Sequence, residues 1–323
     1  MKRRQEQLEL PSISILMAVY EPRMDWLREQ LISLNNQTYP NLRLYVRDDC
    51  SKQATFEDIL HLVNQCITAF PSIVMHNDEN LGSNKTFERL TAEADGTYFA
   101  YCDQDDIWMP EKLTVLGKCI TDAVMAYSDM KVIDREGTQT AESLKKIRPR
   151  LRYLEGCNLQ EAYFFRNCTA GCSMLVRSSV AKKAIPFPGA TVWDQWVATI
   201  AAANGRIAFT GEKLVSYRKH ARNQTGVLIG IESKADYYNL RIKPLKERLE
   251  AYEKVCVPSD GLREFVHARI NEKKGQIWKY RHFSPYEAMA EIVIGAVPER
   301  AFESAVKRIR RKDEKSGSAE TAQ

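Results

Sequence analysis

The stretch Tyr101–Leu113, YCDQDDIWMPEKL, sets three carboxylates, Asp103, Asp105 and Asp106, within four positions, directly after the apolar run Tyr98–Cys102. Carboxylates this close repel, and one is pushed to protonate unless a cation neutralises the group. A divalent ion is the obvious cation. Mg²⁺ in phosphate chemistry takes one or two carboxylates and fills its remaining positions with phosphate oxygen and water. Alternate residues at a strand end point the same way, so Asp103 and Asp105 are expected to face one ligand while Gln104 points elsewhere. Asp106 reads as a cap for the following helix, with Pro110 in its first turn.

Upstream, apolar runs alternate with segments of helical spacing. SISILMAVY, LRLYVRDD, SIVMHN and TYFAYCD read as strands; MDWLREQLISLNNQ, FEDILHLVNQCITAF and NKTFERLTAEA read as the helices between them. This alternation implies a largely parallel sheet covered on both faces, whose ligands bind beyond the carboxyl ends of its strands. Polar clusters occupy that position after each strand: YEP, RDDCS, NDENLGSNK and DQDD. Four strand ends converging on one rim point to a single nucleotide and metal site.

Downstream, PEKLTVLGKCITDA reads as a helix, AVMAYSDMKVID as a strand, and the basic stretch REGTQTAESLKKIRPRLRYLEG as a mobile loop. CTAGCSMLVRSSVAKKA gives a strand and a helix start, TVWDQWVATIAAANG a helix closed by Gly205, and RIAFTGEKLVSYRKH one or two short strands. The remainder is helix-rich and basic. Residues 1–230 are therefore expected to form one α/β domain and 231–323 a helical extension.

A chain of 323 residues with 44% hydrophobic content can bury a sizeable core, which excludes a disordered tail protein. The run ISILMAV after MKRR is too short for a signal peptide and no cleavage site follows it; EIVIGAV stops at Pro298. A soluble, cytoplasmic protein is expected. None of the eight cysteines forms the close pairs of a structural zinc site, so reduced, buried thiols are expected. The net charge of +5 is modest, and no nucleic-acid partner is expected. About four of those charges fall after Ile231, where Ala301, Phe302, Ala305, Val306 and Ile309 put an apolar stripe on a basic helix. That helix either packs on its own domain or touches an anionic membrane surface.

Taken together, ISILMAVYEP, QTYPNLRLYVRDDCS, NLGSNKTFERL, YCDQDDIWMPEKL, CTAGCSMLVRSS, VWDQWVATIAAANGRIAF and EKLVSYRKHARNQTG resemble, in order and spacing, a family 2 inverting glycosyltransferase of the bacterial rhamnosyltransferase-like branch. The resemblance covers residues 12 to 226. It implies a GT-A fold, a nucleotide-diphosphate sugar donor and Mg²⁺ or Mn²⁺ bridging the diphosphate. Carried onto this chain, it places Ala18, Tyr20 and Glu21 around the base, although Asn is common where Glu21 stands. Asp49 would accept a hydrogen bond from the pyrimidine imide, with Asp48 structural. Asn84, Lys85 and Gln104 would lie near the nucleotide. Asp103 would approach ribose or metal, Asp105 would ligate the metal directly, and His220 would add a ligand.

Asp194 of VWDQW matches the family's catalytic carboxylate, with a helix cap near Thr191 as the structural alternative. Trp193 and Trp196 either shield the site and offer sugar-stacking faces or are helix packing. Arg218, with Lys219, His220 and Arg222, would close over the diphosphate, and Gly171 would let backbone approach the donor sugar. Cys172 reads as a packing residue, since inversion needs no covalent intermediate. The branch suggests dTDP-rhamnose first and UDP-hexoses next as donors, and a glycan or lipid-linked glycan as acceptor. The rivals are a sugar-phosphate nucleotidyltransferase, which would favour a glycine-rich first loop absent from MAVYEPRMDW, and a non-catalytic glycan-binding protein on the same fold.

Overall fold

The computed structural model describes residues 10–220 and 230–319, in two compact units, Met1–His220 and Ala221–Gln323. Arg222 and the amino-terminal MKRR lie outside the described residues.

The first unit contains β1 (Ile13–Val19), α1 (Met24–Asn35), β2 (Leu42–Asp48), α2 (Phe56–Cys66), β3 (Ser72–His76), α3 (Gly82–Glu93), β4 (Tyr98–Cys102), β5 (Ile107–Trp108), α4 (Lys112–Cys119), β6 (Met125–Ile133), β7 (Gln139–Ala141), α5 (Leu144–Ile147), α6 (Gln160–Phe165), β8 (Met174–Arg177), α7 (Ser178–Ala181), α8 (Trp193–Asn204) and β9 (Ile207–Arg218). The strands form one sheet in the order β3-β2-β1-β4-β8-β6-β9-β5, with β7 paired to β6. The expected parallel sheet is present from β3 to β4. The second half is mixed, because β8 runs antiparallel to both β4 and β6.

Central strands covered on both faces are apolar throughout, and Ile13, Ile15, Leu16 and Met17 of β1 are fully buried. Helix α2 starts with a reciprocal Thr55–Asp58 capping box. Register brings the polar clusters together: Val19 lies opposite Asp48, Asp48 opposite His76, and Met17 opposite Cys102, so the first four strands end on one rim.

Two segments differ from the sequence expectation. RIAFTGEKLVSYR is one long strand, β9, with register shifts against β6 rather than two short ones. The basic stretch read as a loop contains β7 and α5, because Leu144 is buried and Ile147 and Leu151 pack on the core. Pairing of Ile107 with Ser216 returns the end of β9 to the acidic turn after β4.

The second unit is helical: α9 (Lys234–Tyr237), α10 (Pro244–Val255), α11 (Asp260–Ile270), α12 (Lys274–Lys279), α13 (Pro285–Ile294) and α14 (Glu299–Ala319). Phe302 and Val306 of α14 are buried with Ile231 and pack on Tyr237, Ile294 and Val297, so part of its apolar stripe serves its own unit, while Ile309 stays exposed. No helix among the described residues is long and apolar enough to cross a membrane.

Candidate active site

The first two strand-end loops are bound to each other and to the acidic turn. Gln104 clamps the backbone of Tyr20, accepting its N–H at 2.8 Å and donating to its carbonyl at 3.1 Å, while the Tyr20 ring is half exposed on the rim. Glu21 has φ of 43°, a left-handed conformation that Asn adopts with less strain than most side chains. Its carboxylate accepts the N–H groups of Lys52 (2.8 Å) and Gln53 (3.1 Å), which ties the first loop to the second. Ala18 lies next to the end of β1, opposite Arg47.

Asp48 and Asp49 sit differently at the end of β2. Asp49 is buried, and its carboxylate accepts four hydrogen bonds: Asn77 Nδ2 (2.8 Å) and Leu81 N (2.9 Å) on Oδ1, Asn80 Nδ2 (3.1 Å) and Gly82 N (2.8 Å) on Oδ2. A carboxylate has about four acceptor sites, so Asp49 is filled and acts as the clamp of the loop leading into α3. Asp48 accepts only from Ser51, through its N–H and hydroxyl. Burial holds the Asp48 carboxyl above the usual range.

Beyond Cys102 the chain turns instead of continuing as a strand, so the alternation expected for Asp103 and Asp105 does not apply. Asp103 faces inward, its carboxylate grouped with Asp106 and the Cys172 thiol within 4.8 Å. Asp105 faces β9, where its Oδ2 lies 2.6 Å from His220 Nε2. Asp106 is not a helix cap. It is fully buried, its Oδ1 accepts the Arg218 N–H at 2.9 Å, and its Oδ2 has no hydrogen-bond partner. Burial, reinforced by the charge of Asp105, pushes its carboxyl up to about 7. Burial and the charges of Asp106 and Asp105 likewise push Asp103 well above the carboxylate range.

Sequence reasoning missed Lys112. It is fully buried, its Nζ donates to the Cys172 carbonyl and sits 2.9 Å from the centre of the Trp108 ring, and burial lowers it to about 7. The signal was a lysine beside Leu113 and Leu116 on the buried face of α4. Burial keeps the Cys172 thiol protonated, consistent with a packing role.

Arg218 points into the interior. It is 1% exposed, and its guanidinium donates to the carbonyls of Asp105 (2.9 Å), Asp134 (3.2 Å) and Arg135 (3.1 Å) and to Glu29 (2.5 Å), above the Trp26 ring. It locks the end of β9 to the acidic turn and to α1. His220, two residues on, stacks beside Trp26 with ring centroids 5.1 Å apart and presents its imidazole to Asp105. Lys219 between them is exposed.

Asp194 lies in the first turn of α8, whose cap is Val192, and Asp194 makes no cap of its own near Thr191. Its carboxylate accepts from Asn167 Nδ2 (3.0 Å), Gln195 N (2.7 Å) and Gly171 N (3.3 Å). Burial raises its pKa against these three donors, and Asp103 is close enough to feel its charge. A Cβ on Gly171 would stand 2.2 Å from the Trp193 ring, so the close approach at this glycine is made by Trp193. Trp193 packs on Phe87 and Tyr101, and Trp196 is buried with its Nε1–H on the Ala184 carbonyl; neither indole offers a sugar-stacking face.

Asn84 holds this region from α3. Its Nδ2 donates to the carbonyls of Thr191 (2.7 Å) and Pro188 (3.2 Å), and its Oδ1 accepts the Trp193 N–H (3.0 Å). Lys85 is exposed and pairs with Glu88 at 3.0 Å.

A parallel half-sheet with a polar rim, an acidic turn facing a histidine, and a buried carboxylate at the start of a helix define a GT-A transferase. The family model for glycosyl transferase family 2 matches residues 14–182, and the chain belongs to that family. Over 243 residues it is 25% identical to the uncharacterized glycosyltransferase MJ1057 of Methanocaldococcus jannaschii, covering 73% of this chain and 80% of that protein. It is 23% identical to the dTDP-rhamnosyl transferase RfbG of Shigella flexneri, covering 68% and 76%. Among solved structures it resembles S. aureus TarS 1–349 in complex with UDP-GlcNAc (17% identity, TM-score 0.53, 87% of this chain and 84% of that one). It also resembles the mannosyltransferase PcManGT of Pyrobaculum calidifontis in complex with GDP-Man and Mn²⁺ (14% identity, TM-score 0.54, 93% and 80%). The protein is a glycosyltransferase, which decides against the nucleotidyltransferase reading.

Proposed function

We propose that this enzyme moves a sugar, with inversion, from a nucleotide-diphosphate donor to a hydroxyl of a growing cell-surface polysaccharide or lipid-linked glycan. The observation that carries the reading is Asp194, a buried carboxylate held by Asn167, Gly171 and Gln195 within reach of the charge of Asp103. Inversion is an in-line displacement, so the acceptor hydroxyl must lose its proton on the face opposite the leaving diphosphate. Asp194 takes that proton. Its raised pKa makes it a stronger base than an ordinary aspartate, and its three donors hold the carboxylate in one orientation.

The donor set fits a divalent ion, because Asp105 and His220 already converge and the carboxylates of Asp103 and Asp106 lie on the same turn. Asp105 and His220, with Asp103, would hold Mg²⁺ or Mn²⁺, which supplies charge stabilisation to the departing diphosphate. Imidazole beside carboxylates favours Mn²⁺ over Mg²⁺. The base lies against Tyr20, whose position Gln104 fixes, and Asp48 replaces Asp49 as the acceptor for the pyrimidine imide. The likeness to RfbG supports dTDP-rhamnose as first donor to test, with UDP-sugars next. Residues 1–230 carry the transfer. Residues 231–323 place the enzyme peripherally on the inner membrane face, through the exposed Trp278, Tyr286, Met289 and Val293 together with Ile309 of α14.

Calorimetric titration of UDP-, dTDP- and GDP-sugars with and without Mn²⁺ tests this reading on wild type and Asp105→Ala. Metal-dependent binding of one nucleotide class, lost in the variant, is the expected result. Folded protein that binds none of the panel would overturn it.

A further inference from the structure

Arg218 is turned into the interior, and a second basic segment offers cations of its own. Lys145, Lys146, Arg148, Arg150 and Arg152 place five cations in eight residues with no acid among them. The segment is anchored from beneath: Leu144 is buried, Ile147 and Leu151 pack on the core that includes Cys172 and Val215, and Tyr153 donates to Asp129 and stacks on Phe209 at 4.4 Å. With the apolar residues turned down, Lys145, Lys146, Arg150 and Arg152 are exposed and Arg148 is half-buried. The core they cover continues into Tyr217 and Cys172, and Cys172 follows the glycine whose N–H holds Asp194. Tyr127 of β6 pairs with Met174, two residues beyond Cys172, and its hydroxyl donates to the Leu154 carbonyl at 3.0 Å, so the end of the segment is tied near Gly171, whose N–H holds Asp194, and the charge of Arg148 is felt at Asp194.

We infer that Lys145–Arg152 is a phosphate-binding segment of the active site, with Arg148 as its inner contact and the four exposed cations as its approach. A cation fixed on packed apolar residues meets a phosphate with little ordering cost, and hydrogen bonds between guanidinium and phosphate are among the strong ones. Two phosphates reach a glycosyl-transfer site, the donor's diphosphate and the phosphate that carries a lipid-linked acceptor. In assigning them to those two sources the inference rests on the proposed function; the affinity of the segment for phosphate does not.

The test titrates the full chain, in Mn²⁺, with inorganic pyrophosphate, UDP and dTDP against uridine and thymidine, and with farnesyl phosphate against farnesol. The variants are R148Q, its conservative partner R148K, the exposed quadruple K145Q/K146Q/R150Q/R152Q, and K118Q as a cation outside the segment. Donor-side binding predicts that R148Q and the quadruple variant weaken pyrophosphate and nucleoside diphosphates about tenfold or more, leave nucleosides unchanged, and that R148K restores part of the loss. Acceptor-side binding predicts the same loss for farnesyl phosphate, with farnesol and the nucleotides unchanged. Wild type that binds pyrophosphate or farnesyl phosphate through the segment but no nucleotide would end the proposed function and leave the segment standing. Wild-type affinities in every variant, losses no larger than in K118Q, or a wild type that binds neither phosphate probe would overturn the inference itself.

Discussion

Asn84, on α3, accepts the backbone N–H of Trp193 at 3.0 Å and so holds the first residue of the helix that carries Asp194. Its amide group also gathers the Pro188 and Thr191 carbonyls, leaving one side chain to shape the whole approach to α8. The residue acts through the geometry of Asp194.

Asn84→Ala should therefore separate turnover from donor binding. A misplacement of the base on the order of 1 Å costs roughly 100-fold in rate, whereas the nucleotide Kd should stay within about twofold, since no donor contact is removed. Parallel steady-state kinetics and calorimetry check this. A large loss of nucleotide affinity with kcat intact would return Asn84 to the nucleotide.

Asp105 and His220 should behave as a unit. Either Asp105→Ala or His220→Ala should lower turnover about 100-fold or more, and the double variant should be little worse than the worse single one, since partners in one site are not additive. Chelation of wild type should abolish turnover, and Mn²⁺ should restore it. Metal binding, read by the enhancement of water-proton relaxation by Mn²⁺, should fall in both single variants.

Arg218 and Glu29 form an asymmetric pair, the first 1% and the second 49% exposed at the side chain. Removing the buried member strips the Asp105, Asp134 and Arg135 carbonyls of their donor and should cost about 3–5 kcal/mol. Glu29→Gln leaves the guanidinium its three carbonyl acceptors and should cost about 1 kcal/mol or less. Thermal unfolding distinguishes them, at about 2–4 °C per kcal/mol for a unit of this size. An Arg218→Ala protein as stable as wild type but unable to bind nucleotide would reinstate the diphosphate role.

Gly171→Ala should be poorly tolerated for a packing reason. The new methyl would meet the Trp193 ring at 2.2 and 2.4 Å, and neither element can retreat without disturbing Phe87 and Tyr101. Overpacking of this kind costs about 1–3 kcal/mol. Trp193→Leu should relieve the clash in the double variant, so the measured coupling between the two positions should be favourable.

The parallel half of the sheet was legible because buried central strands carry their signature locally, in runs such as ISILMAV, and the polar residues after each run mark the rim. Asp194 was singled out by the family resemblance and not by any local pattern, and the acidic turn was visible only as a cluster of carboxylates, not in the directions they face. What stayed hidden depends on partners far away in sequence. Arg218 and His220 are two residues apart in one basic stretch, yet Glu29 and Trp26 of α1 draw the first inward while Asp105 receives the second. Asp48 and Asp49 differ only in which one meets the donors of residues 77–82. Lys112 was not singled out because a helix pattern does not say that a carbonyl, a ring and two carboxylates wait beneath it.

The pH dependence of turnover should report Asp194. The base acts as the carboxylate, so the rate rises as pH climbs through its pKa, which burial sets above the ordinary aspartate value. Asn167 Nδ2 favours the charged form by donating to Oδ1 at 3.0 Å. Asn167→Ala removes that donor while burial remains, so the carboxyl holds its proton more tightly and the acid limb of the kcat profile moves to higher pH. At a pH well above both limbs, part of the lost rate should return, because the variant base is then ionised again. Asn167→Asp should move the limb further in the same direction, since a second charge beside Asp194 also disfavours ionisation. Profiles of all three proteins at saturating Mn²⁺ decide the matter, and an acid limb unmoved in both variants would remove Asp194 as the titrating base.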